Sequence, residues 1–196
     1  MKTGLALFDT AIGRCGVAWG ARGLLGVQLP EQSDEATRAR LRKKAPGAQE
    51  TPLPADIARA CTAMTALLGS NVTDLSFVAL DMTHVPDFNR GVYDIAREIE
   101  PGKTMTYGDI AIRLGDKLLS QAVGKALGQN PFPIVIPCHR VVAANGKTGG
   151  FSANGGVTTK FRMLAIERAK IAAQQSSDAP TLFEPELSVA PRRRRT

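Results

Sequence analysis

A cysteine and a histidine stand side by side at residues 138 and 139, and an arginine follows them. The thiolate is the nucleophilic form of cysteine, so a reactive cysteine needs a nearby base and a positive environment. His139 and Arg140 supply one group of each type. Because neighbouring side chains on an extended strand point to opposite sides, we expect His139 to act on Cys138 through a bridging water. Glu167, the only acid between Asp116 and the C-terminal tail, is the candidate to orient the imidazole.

The segments on either side of this pair favour a reactive cysteine. Asn130 to Pro133 contains two prolines and predicts a rigid, extended chain. Ile134 to Ile136 predicts a short buried strand that delivers Cys138, and a glycine-rich loop from Asn145 to Gly156 follows. The alternative is a buried structural cysteine beside a surface histidine, which is what an arbitrary Cys-His pair would indicate.

Positive charge is concentrated in the same part of the chain. The 196 residues carry a formal charge of +7: residues 1–100 contribute −1, residues 101–170 contribute +7 and residues 171–196 contribute +1. A compact basic block attracts phosphates, and counterion release then drives association with nucleic acid. A solvated basic surface is equally consistent with charge alone. The spacings of Cys15, Cys61 and His84 match no standard metal cluster, so we expect no metal or cofactor.

The first 86 residues predict a small α+β scaffold domain. Apolar runs within residues 3–29, separated by glycine and polar residues, predict strands joined by tight turns. Residues 34–44 predict an exposed helix, and residues 55–68 an amphipathic one with Cys61 on its apolar stripe as a buried thiol. Leu75 to Leu80 predicts a further strand. This half shows no cluster of catalytic residue types.

Residues 87–172 predict a mainly helical domain that contains a helix-turn-helix. A first helix is expected to be capped by Asp87. Two short helices follow around a turn at Gly115, one from Tyr107 to Leu114 with Thr106 as its cap and one from about Lys117 to Gly128. Such a pair places its second helix in a DNA groove. The positions expected to face inward are Phe88, Val92, Ile95 and Ile99 on the first helix, Ile110 and Leu114 on the next, and Leu118, Ala122, Val123 and Leu127 on the last.

Residues 103–170 resemble the DNA-binding, active-site domain of the O6-alkylguanine-DNA alkyltransferases, also called methylated-DNA–protein-cysteine methyltransferases. Several motifs occur in order and at compatible spacing: Thr106-Tyr107-Gly108, Ala122-Val123-Gly124-Lys125-Ala126-Leu127, Asn130-Pro131, Ile136-Pro137-Cys138-His139-Arg140-Val141-Val142, and Gly150-Phe151-Ser152 with Gly155-Gly156 and Lys160. The first hundred residues are loosely similar to the family's variable N-terminal domain. The resemblance implies a small ribonuclease H-like scaffold over residues 1–86, an alkyltransferase domain over 87–172, and a disordered, arginine-ending tail over 173–196.

The resemblance also implies a DNA repair reaction at Cys138. An alkyl group would pass irreversibly, once per molecule, from O6 of a flipped-out guanine, and by extension from O4 of thymine. His139 would act through water as the base, Glu167 would orient His139, Tyr107 would donate a proton to the departing guanine, and Asn130 would tie the helix to the cysteine turn. The implied substrate contacts are Val141, Ser152, Phe151, Pro133 and Leu127; the implied DNA contacts are Thr106, Gln121, Ala122, Lys125 and Arg140.

Two positions depart from the family's pattern. The family's recognition helix carries an arginine that enters the base stack, and here that position is Gln121, which is shorter and uncharged. We therefore expect weaker base flipping, or flipping by another group. The loop from Phe151 to Gly156 is lengthened, which alters the expected placement of Ser152 and makes Asn154 a candidate to compensate for it.

Other classes of protein remain as alternatives. A non-catalytic, alkyltransferase-like lesion sensor would lack the acceptor cysteine, whereas this chain has Cys138 together with His139, Tyr107 and Glu167. A transcription regulator would use the helix-turn-helix alone. A hydrolytic Cys-His enzyme would need an oxyanion site and a peptide-like groove, and the basic block argues against that class.

The composition also predicts the cellular setting. No apolar run approaches the roughly 18 residues of a membrane span, and the first residues make no convincing signal peptide. We expect a monomer in the cytoplasm or on the nucleoid, with no membrane partner, acting on double-stranded DNA that contains O6-alkylguanine. Arg192 to Arg195 in the tail are candidates for additional phosphate contacts.

Overall fold

The computed structural model describes residues 3–69, 73–144, 150–151 and 153–167, and its first element is a four-stranded sheet. The strands are β1 (Gly4–Thr10), β2 (Gly13–Gly20), β3 (Gly23–Gln28) and β4 (Gln49–Glu50), in the order β3-β2-β1-β4. β2 pairs antiparallel with both β1 and β3, and β4 runs parallel to β1. The strands predicted within residues 3–29 are confirmed.

Two helices, α1 (Asp34–Lys44) and α2 (Ala55–Leu68), give the sheet two buried faces. Leu5 and Ala18 pack with Leu41 of α1 in one cluster, whereas alternate residues of β2 such as Val17 pack in a second cluster with Met64 of α2. This alternation follows from the two-residue period of a strand. Cys61 is buried on α2, as its place on the apolar stripe predicts.

Residues 75–80 do not form the predicted strand. Only Leu80 pairs, in an isolated bridge with Leu24 of β3. The guanidinium of Arg97 donates to the carbonyl oxygens of Leu75, Ser76 and Val78. Those carbonyls are therefore satisfied by a side chain instead of a neighbouring strand, and the segment stays in turns.

The second half of the chain is mainly helical. It contains α3 (Asp87–Arg97), α4 (Tyr107–Arg113), a 3-10 helix (Lys117–Leu119), α5 (Ser120–Gly128) and α6 (Gly156–Ile166). Two short strands, β5 (Met105–Thr106) and β6 (Val141–Val142), pair in parallel. Thr106 caps α4 as predicted: its hydroxyl accepts from Asp109 N, and the Asp109 carboxylate accepts from Thr106 N.

Two apolar side chains expected inside lie on the surface. Leu118 is 88% exposed and Phe88 is 37% exposed, whereas Val92, Val123 and Leu127 are buried as expected. The cause at Leu118 is local, because the Asp116 carboxylate accepts its backbone N–H at 2.8 Å and holds a 3-10 turn before α5 begins at Ser120. Asp87 is the first residue of α3 rather than its cap, which is Pro86.

One continuous hydrophobic core joins the sheet to the later helices. It contains Val17 and Leu24 of the sheet together with Val92, Ile110 and Met163 of α3, α4 and α6. Polar contacts reinforce this junction: Val27 N donates to Pro131 O at 2.9 Å, and the Arg162 guanidinium of α6 donates to the carbonyls of the turn between β1 and β2. In the part of the chain that the structure describes, no helix has the length and apolarity to cross a membrane.

Gly23 provides a test of the contact between β3 and the 75–80 segment. Its φ is +117°, and a Cβ there would lie 2.4 Å from Ala79 O. We expect Gly23→Ala to lower the free energy of unfolding by at least about 2 kcal/mol, measured by urea denaturation. Gly47→Ala is the control, because Gly47 also has a positive φ of +80° but a Cβ there meets nothing within 4 Å; it should cost about 1 kcal/mol. Equal losses would show that the steric contact with Ala79 is unimportant.

Candidate active site

Residues 130–137, which lead to Cys138, form a turn and not the predicted strand. This segment is called the cysteine turn. Ile136 N donates to Phe132 O at 2.8 Å, and the Asn130 side chain spans the turn, with Nδ2 donating to Ile136 O and Oδ1 accepting from Phe132 N, both at 2.9 Å. Ile134 adopts a φ of +77° within it. Two prolines remove backbone donors that a strand would need, and an asparagine side chain substitutes for a neighbouring strand.

Cys138, His139 and Arg140 form one turn of 3-10 helix at the end of that segment. The prediction of an extended backbone at Cys138 and His139 is therefore wrong. Their side chains point in different directions because the backbone is coiled. Cys138 is half-buried, and His139 and Arg140 are buried.

His139 is paired with Glu167 inside the protein. Nε2 of His139 lies 3.0 Å from Oε1 of Glu167, and both side chains are fully buried. Within the described residues, Nδ1 of His139 is buried and has no hydrogen-bond partner. An ionised carboxylate only accepts hydrogen bonds, so the pairing assigns the proton of the neutral ring to Nε2. Nδ1 then carries the lone pair that a general base needs.

Arg140 is not available to DNA, and its predicted role as a DNA contact is wrong. The side chain is 5% exposed. Its Nε and Nη2 donate to the two oxygens of Glu167 at 2.8 and 2.7 Å, and Nη1 donates to Ile99 O at 2.5 Å. The planar guanidinium matches both oxygens of a carboxylate, so Arg140 fixes the orientation of Glu167.

This pairing sets the protonation of the buried groups. Burial by itself would raise the pKa of Glu167, but hydrogen bonds from Arg140 and His139 hold it at about 2. Burial lowers the pKa of His139, against the opposing effect of Glu167. The site therefore combines an ionised carboxylate with a neutral imidazole near neutral pH.

Seven of the predicted site residues line one cavity of about 870 Å³. They are Tyr107, Gln121, Leu127, Asn130, Pro133, Cys138 and Phe151. The structure thus brings the thiol, the tyrosine and the apolar walls together.

The remaining predicted contacts lie around this cavity or outside the described residues. Val141 is buried, Ala122 is half-buried on α5 and Lys125 is exposed. Asn154, the candidate to compensate for Ser152, is exposed. Ser152 itself, residues 145–149 of the glycine-rich loop and residues 168–196, which include the tail, lie outside the described residues.

Lys160 is a buried cation. It belongs to the family motifs quoted above, but the resemblance implies no role for it. It is fully buried on α6; its Nζ donates to Val141 O at 2.6 Å and lies 5.7 Å from the centre of the Tyr107 ring. Burial lowers the pKa of Lys160 to about 8, and the Cys138 thiolate opposes that shift. Burial raises the pKa of Cys138, while the Asn130 side chain and the charge of Lys160 oppose the rise. Burial, with the Cys138 charge, also raises the pKa of Tyr107, which therefore stays protonated.

The N-terminal half contributes one wall of the cavity, which the sequence did not predict. Gln28, Leu29, Glu31, Arg40 and Lys44 line it. Gln28 Nε2 donates to Glu31 Oε1 at 2.9 Å, and Arg40 forms an ion pair with Glu31 at 3.6 Å. No local pattern marks these residues, because they reach the site through the packing of β3 and α1 against the cysteine turn.

Known proteins are similar to this chain in sequence and in fold. Residues 87–169 match the family model for the DNA-binding domain of 6-O-methylguanine DNA methyltransferase. A methylated-DNA–protein-cysteine methyltransferase of Methanothermobacter thermautotrophicus is 31% identical over 81% of this chain and 82% of the relative. The crystal structure of Mycobacterium tuberculosis O6-methylguanine methyltransferase superimposes with a TM-score of 0.69 at 30% identity, covering 85% of this chain and 93% of that one. The same Mycobacterium tuberculosis protein in complex with DNA gives a TM-score of 0.69 at 29% identity, covering 84% and 92%.

A mixed α+β fold with a cysteine directly before the buried His139–Glu167 pair is the arrangement that a cysteine-centred transferase would need. With the extent of these matches, the chain belongs to the methylated-DNA–protein-cysteine methyltransferase family.

Removing the guanidinium of Arg140 tests its role beside Glu167. We expect Arg140→Met to lower the free energy of unfolding by about 3–5 kcal/mol, because it leaves a buried carboxylate uncompensated. Arg113→Met is the control: Arg113 pairs with Glu98 on the surface, where the side chains are 44% and 61% exposed, and its loss should cost less than about 1 kcal/mol. Denaturant titration at neutral pH measures both.

The pH dependence gives a second readout of the same pair. Because the pKa of Glu167 is depressed to about 2 from 4.5, its stabilising contribution is present above the higher value and is lost as pH falls toward the lower one. The parent protein should therefore lose stability over this window, and Arg140→Met should lose less. Parallel acid profiles for the two proteins would contradict the pairing.

Proposed function

We propose that this protein repairs DNA by transferring an alkyl group from O6 of guanine, and also from O4 of thymine, to the thiol of Cys138. The observation that carries the proposal is Cys138 in a cavity of about 870 Å³, followed directly by a histidine whose Nε2 is engaged by Glu167 and whose Nδ1 has no partner in the described structure. That arrangement supplies a nucleophile and a base.

The first step is activation of the thiol. A water that accepts the Cys138 proton passes one on to Nδ1 of His139, and the imidazolium so formed is stabilised by the ionised Glu167. Lys160 adds positive charge near the thiolate. The pairing with Arg140 prevents Glu167 from taking the proton itself, because the pKa of this carboxyl is held at about 2.

The second step is in-line displacement at the alkyl carbon. The thiolate sulfur forms a bond to that carbon, the bond between carbon and O6 breaks, and its electron pair moves into the guanine. The Tyr107 hydroxyl donates a proton to the departing base, which leaves neutral. Tyrosinate and imidazolium then recombine through solvent. The product is a thioether, and no group in the described site reverses it, so each molecule reacts once.

The target atom is buried in duplex DNA, so the nucleotide is extruded into the cavity. Leu127, Pro133 and Phe151 form apolar walls for the base, and the backbone of Cys138 and Val141, with Ser152, would bind its polar edge. Val141 O already accepts from Lys160. Thr106 caps α4, and Gln121, Ala122 and Lys125 lie on α5, which would face the DNA.

The organisation of the chain fits this activity. We take α4 and α5 as a helix-turn-helix whose second helix enters a groove, and residues 87–172 as the DNA-binding and active-site domain; the family match over residues 87–169 supports that boundary. Residues 1–86 form the scaffold, for which the sheet order β3-β2-β1-β4 with β4 parallel to β1 supports a ribonuclease H-like fold. We propose a monomer that acts on double-stranded DNA in the cytoplasm or on the nucleoid. A non-catalytic lesion sensor is disfavoured, since the acceptor thiol is present in the cavity.

Substitution of the acceptor is the direct test. We expect Cys138→Ser and Cys138→Ala to abolish transfer while DNA binding persists, because the thiol makes the bond and the helices hold the DNA. Intact mass and peptide mapping after exposure to an oligonucleotide with O6-methylguanine measure the gain of one methyl group on the Cys138 peptide. Transfer in either variant would exclude Cys138 as acceptor, and binding without transfer in the parent protein would favour the sensor.

Gln121 tests how the base is flipped. The side chain is exposed at the first turn of α5 and lines the cavity. We expect Gln121→Arg to raise the rate of transfer from duplex DNA, because a longer, charged side chain reaches the base stack and the phosphates. The rate with free O6-methylguanine should not change. An equal effect on both substrates would show that Gln121 does not limit flipping.

A further inference from the structure

Lys44 brings a cation from the N-terminal half into the cavity. It is the last residue of α1, and its side chain crosses β3 at Gly26, where an added Cβ would lie 2.8 Å from Lys44 Cδ. The absence of a side chain at Gly26 therefore leaves room for the lysine to reach past the strand. Its Nζ then donates to Val27 O at 2.5 Å and approaches Pro131 O at 3.5 Å.

The carbonyl of Pro131 is the point where the two halves of the chain meet at the site. It accepts from Val27 N at 2.9 Å as well as from Lys44. Pro131 is the second residue of the turn that the Asn130 side chain closes and that ends at Cys138. Lys44 thus binds the start of this turn, through Pro131 O, and the end of β3, through Val27 O. Proline supplies no backbone donor in this part of the chain, so the lysine provides one.

Lys44 and Cys138 line the same cavity, so the charge of the ammonium acts on the thiol. Burial and the neighbouring Arg40 lower the pKa of Lys44 to about 8, whereas the charges of Cys138 and Glu31 oppose that shift. An interaction in which the thiolate stabilises the ammonium also stabilises the thiolate.

Other groups face the thiol from the remaining sides. They are Lys160 on α6, Tyr107 on α4 and Tyr93 on α3. Arg40 and Lys44 of α1 both line the cavity, and Lys44 donates to Pro131 O in the turn that leads to Cys138.

We propose that Lys44 is a positioning residue for Cys138: it holds the cysteine turn against β3 and favours the thiolate from the N-terminal side of the cavity. The proposal rests on the proposed function in taking Cys138 as the acceptor. It assigns to the N-terminal half a direct part in the chemistry, beyond that of a scaffold.

The test separates charge from structure. Lys44→Met keeps the aliphatic chain over Gly26 and removes the ammonium; Lys44→Arg restores a cation; Lys43→Met is the matched control, because Lys43 is the preceding residue of α1 and is exposed. The thiol pKa of Cys138 is measured from the pH dependence of its alkylation by iodoacetamide, followed on the Cys138 peptide by mass spectrometry. The other thiols are slow competitors, since burial raises the pKa of Cys15 and of Cys61 to about 12.

We expect Lys44→Met to raise the thiol pKa by roughly half a unit, which lowers the thiolate fraction roughly threefold. Methyl transfer from an O6-methylguanine oligonucleotide should slow at least as much. Lys44→Arg should restore both values toward those of the parent, and Lys43→Met should match the parent. A loss of thermal stability in Lys44→Met with an unchanged thiol pKa would overturn the proposal, because it would show a purely structural lysine.

The proposal and the proposed function fail in different ways. If the parent protein transfers no methyl group from DNA but Lys44→Met still raises the thiol pKa, the proposed function fails and the role of Lys44 stands. If transfer occurs at the parent rate in Lys44→Met, the role of Lys44 fails and the proposed function stands.

Discussion

The buried carboxylate of Glu167 is the group on which the rest of the site depends. A charge without exposure to water is tolerable only if it is paired and hydrogen-bonded, and here Arg140 occupies both oxygens while His139 shares one of them. Arg140 in turn binds the carbonyl of Ile99, just beyond the end of α3. One ionic cluster therefore joins three separated segments, those at Ile99, at His139 and Arg140, and at Glu167. The same cluster sets the orientation of the imidazole.

The second constraint is the absence of backbone donors around the cysteine turn. Pro131, Pro133 and Pro137 supply no N–H, so backbone bonds such as that from Ile136 N to Phe132 O are supplemented by the side chains of Asn130 and Lys44. A strand would need a neighbouring strand, whereas this turn is held by its own backbone bonds, by those two side chains and by β3. The position of the thiol is consequently set jointly by the helices and by the N-terminal sheet.

The sequence predicted the chemistry better than the path of the chain. Cys138, Tyr107, Asn130 and Phe151 come together in one cavity, as the family resemblance implies, and His139 meets Glu167, as their residue types predict. The resemblance implies a DNA contact at Arg140, but the residue is buried, and no local pattern marks this because its partner Glu167 is 27 residues away. Leu118 fitted an apolar stripe, but a cap at Asp116 overrode the helical period. Lys44 had no sequence signal, since only tertiary packing brings α1 to the cysteine turn.

The continuous core that joins the sheet to α3, α4 and α6 has a consequence for the amount of repair rather than its speed. Contacts that cross the whole molecule favour unfolding in a single cooperative step. A protein that reacts once is consumed with its lesion, so the number of lesions a cell can clear equals the number of folded molecules it holds. The free energy of unfolding then helps to determine how many lesions can be repaired. A substitution far from Cys138 that unfolds part of the population removes one repair event for each unfolded molecule, even when every folded molecule reacts at the normal rate.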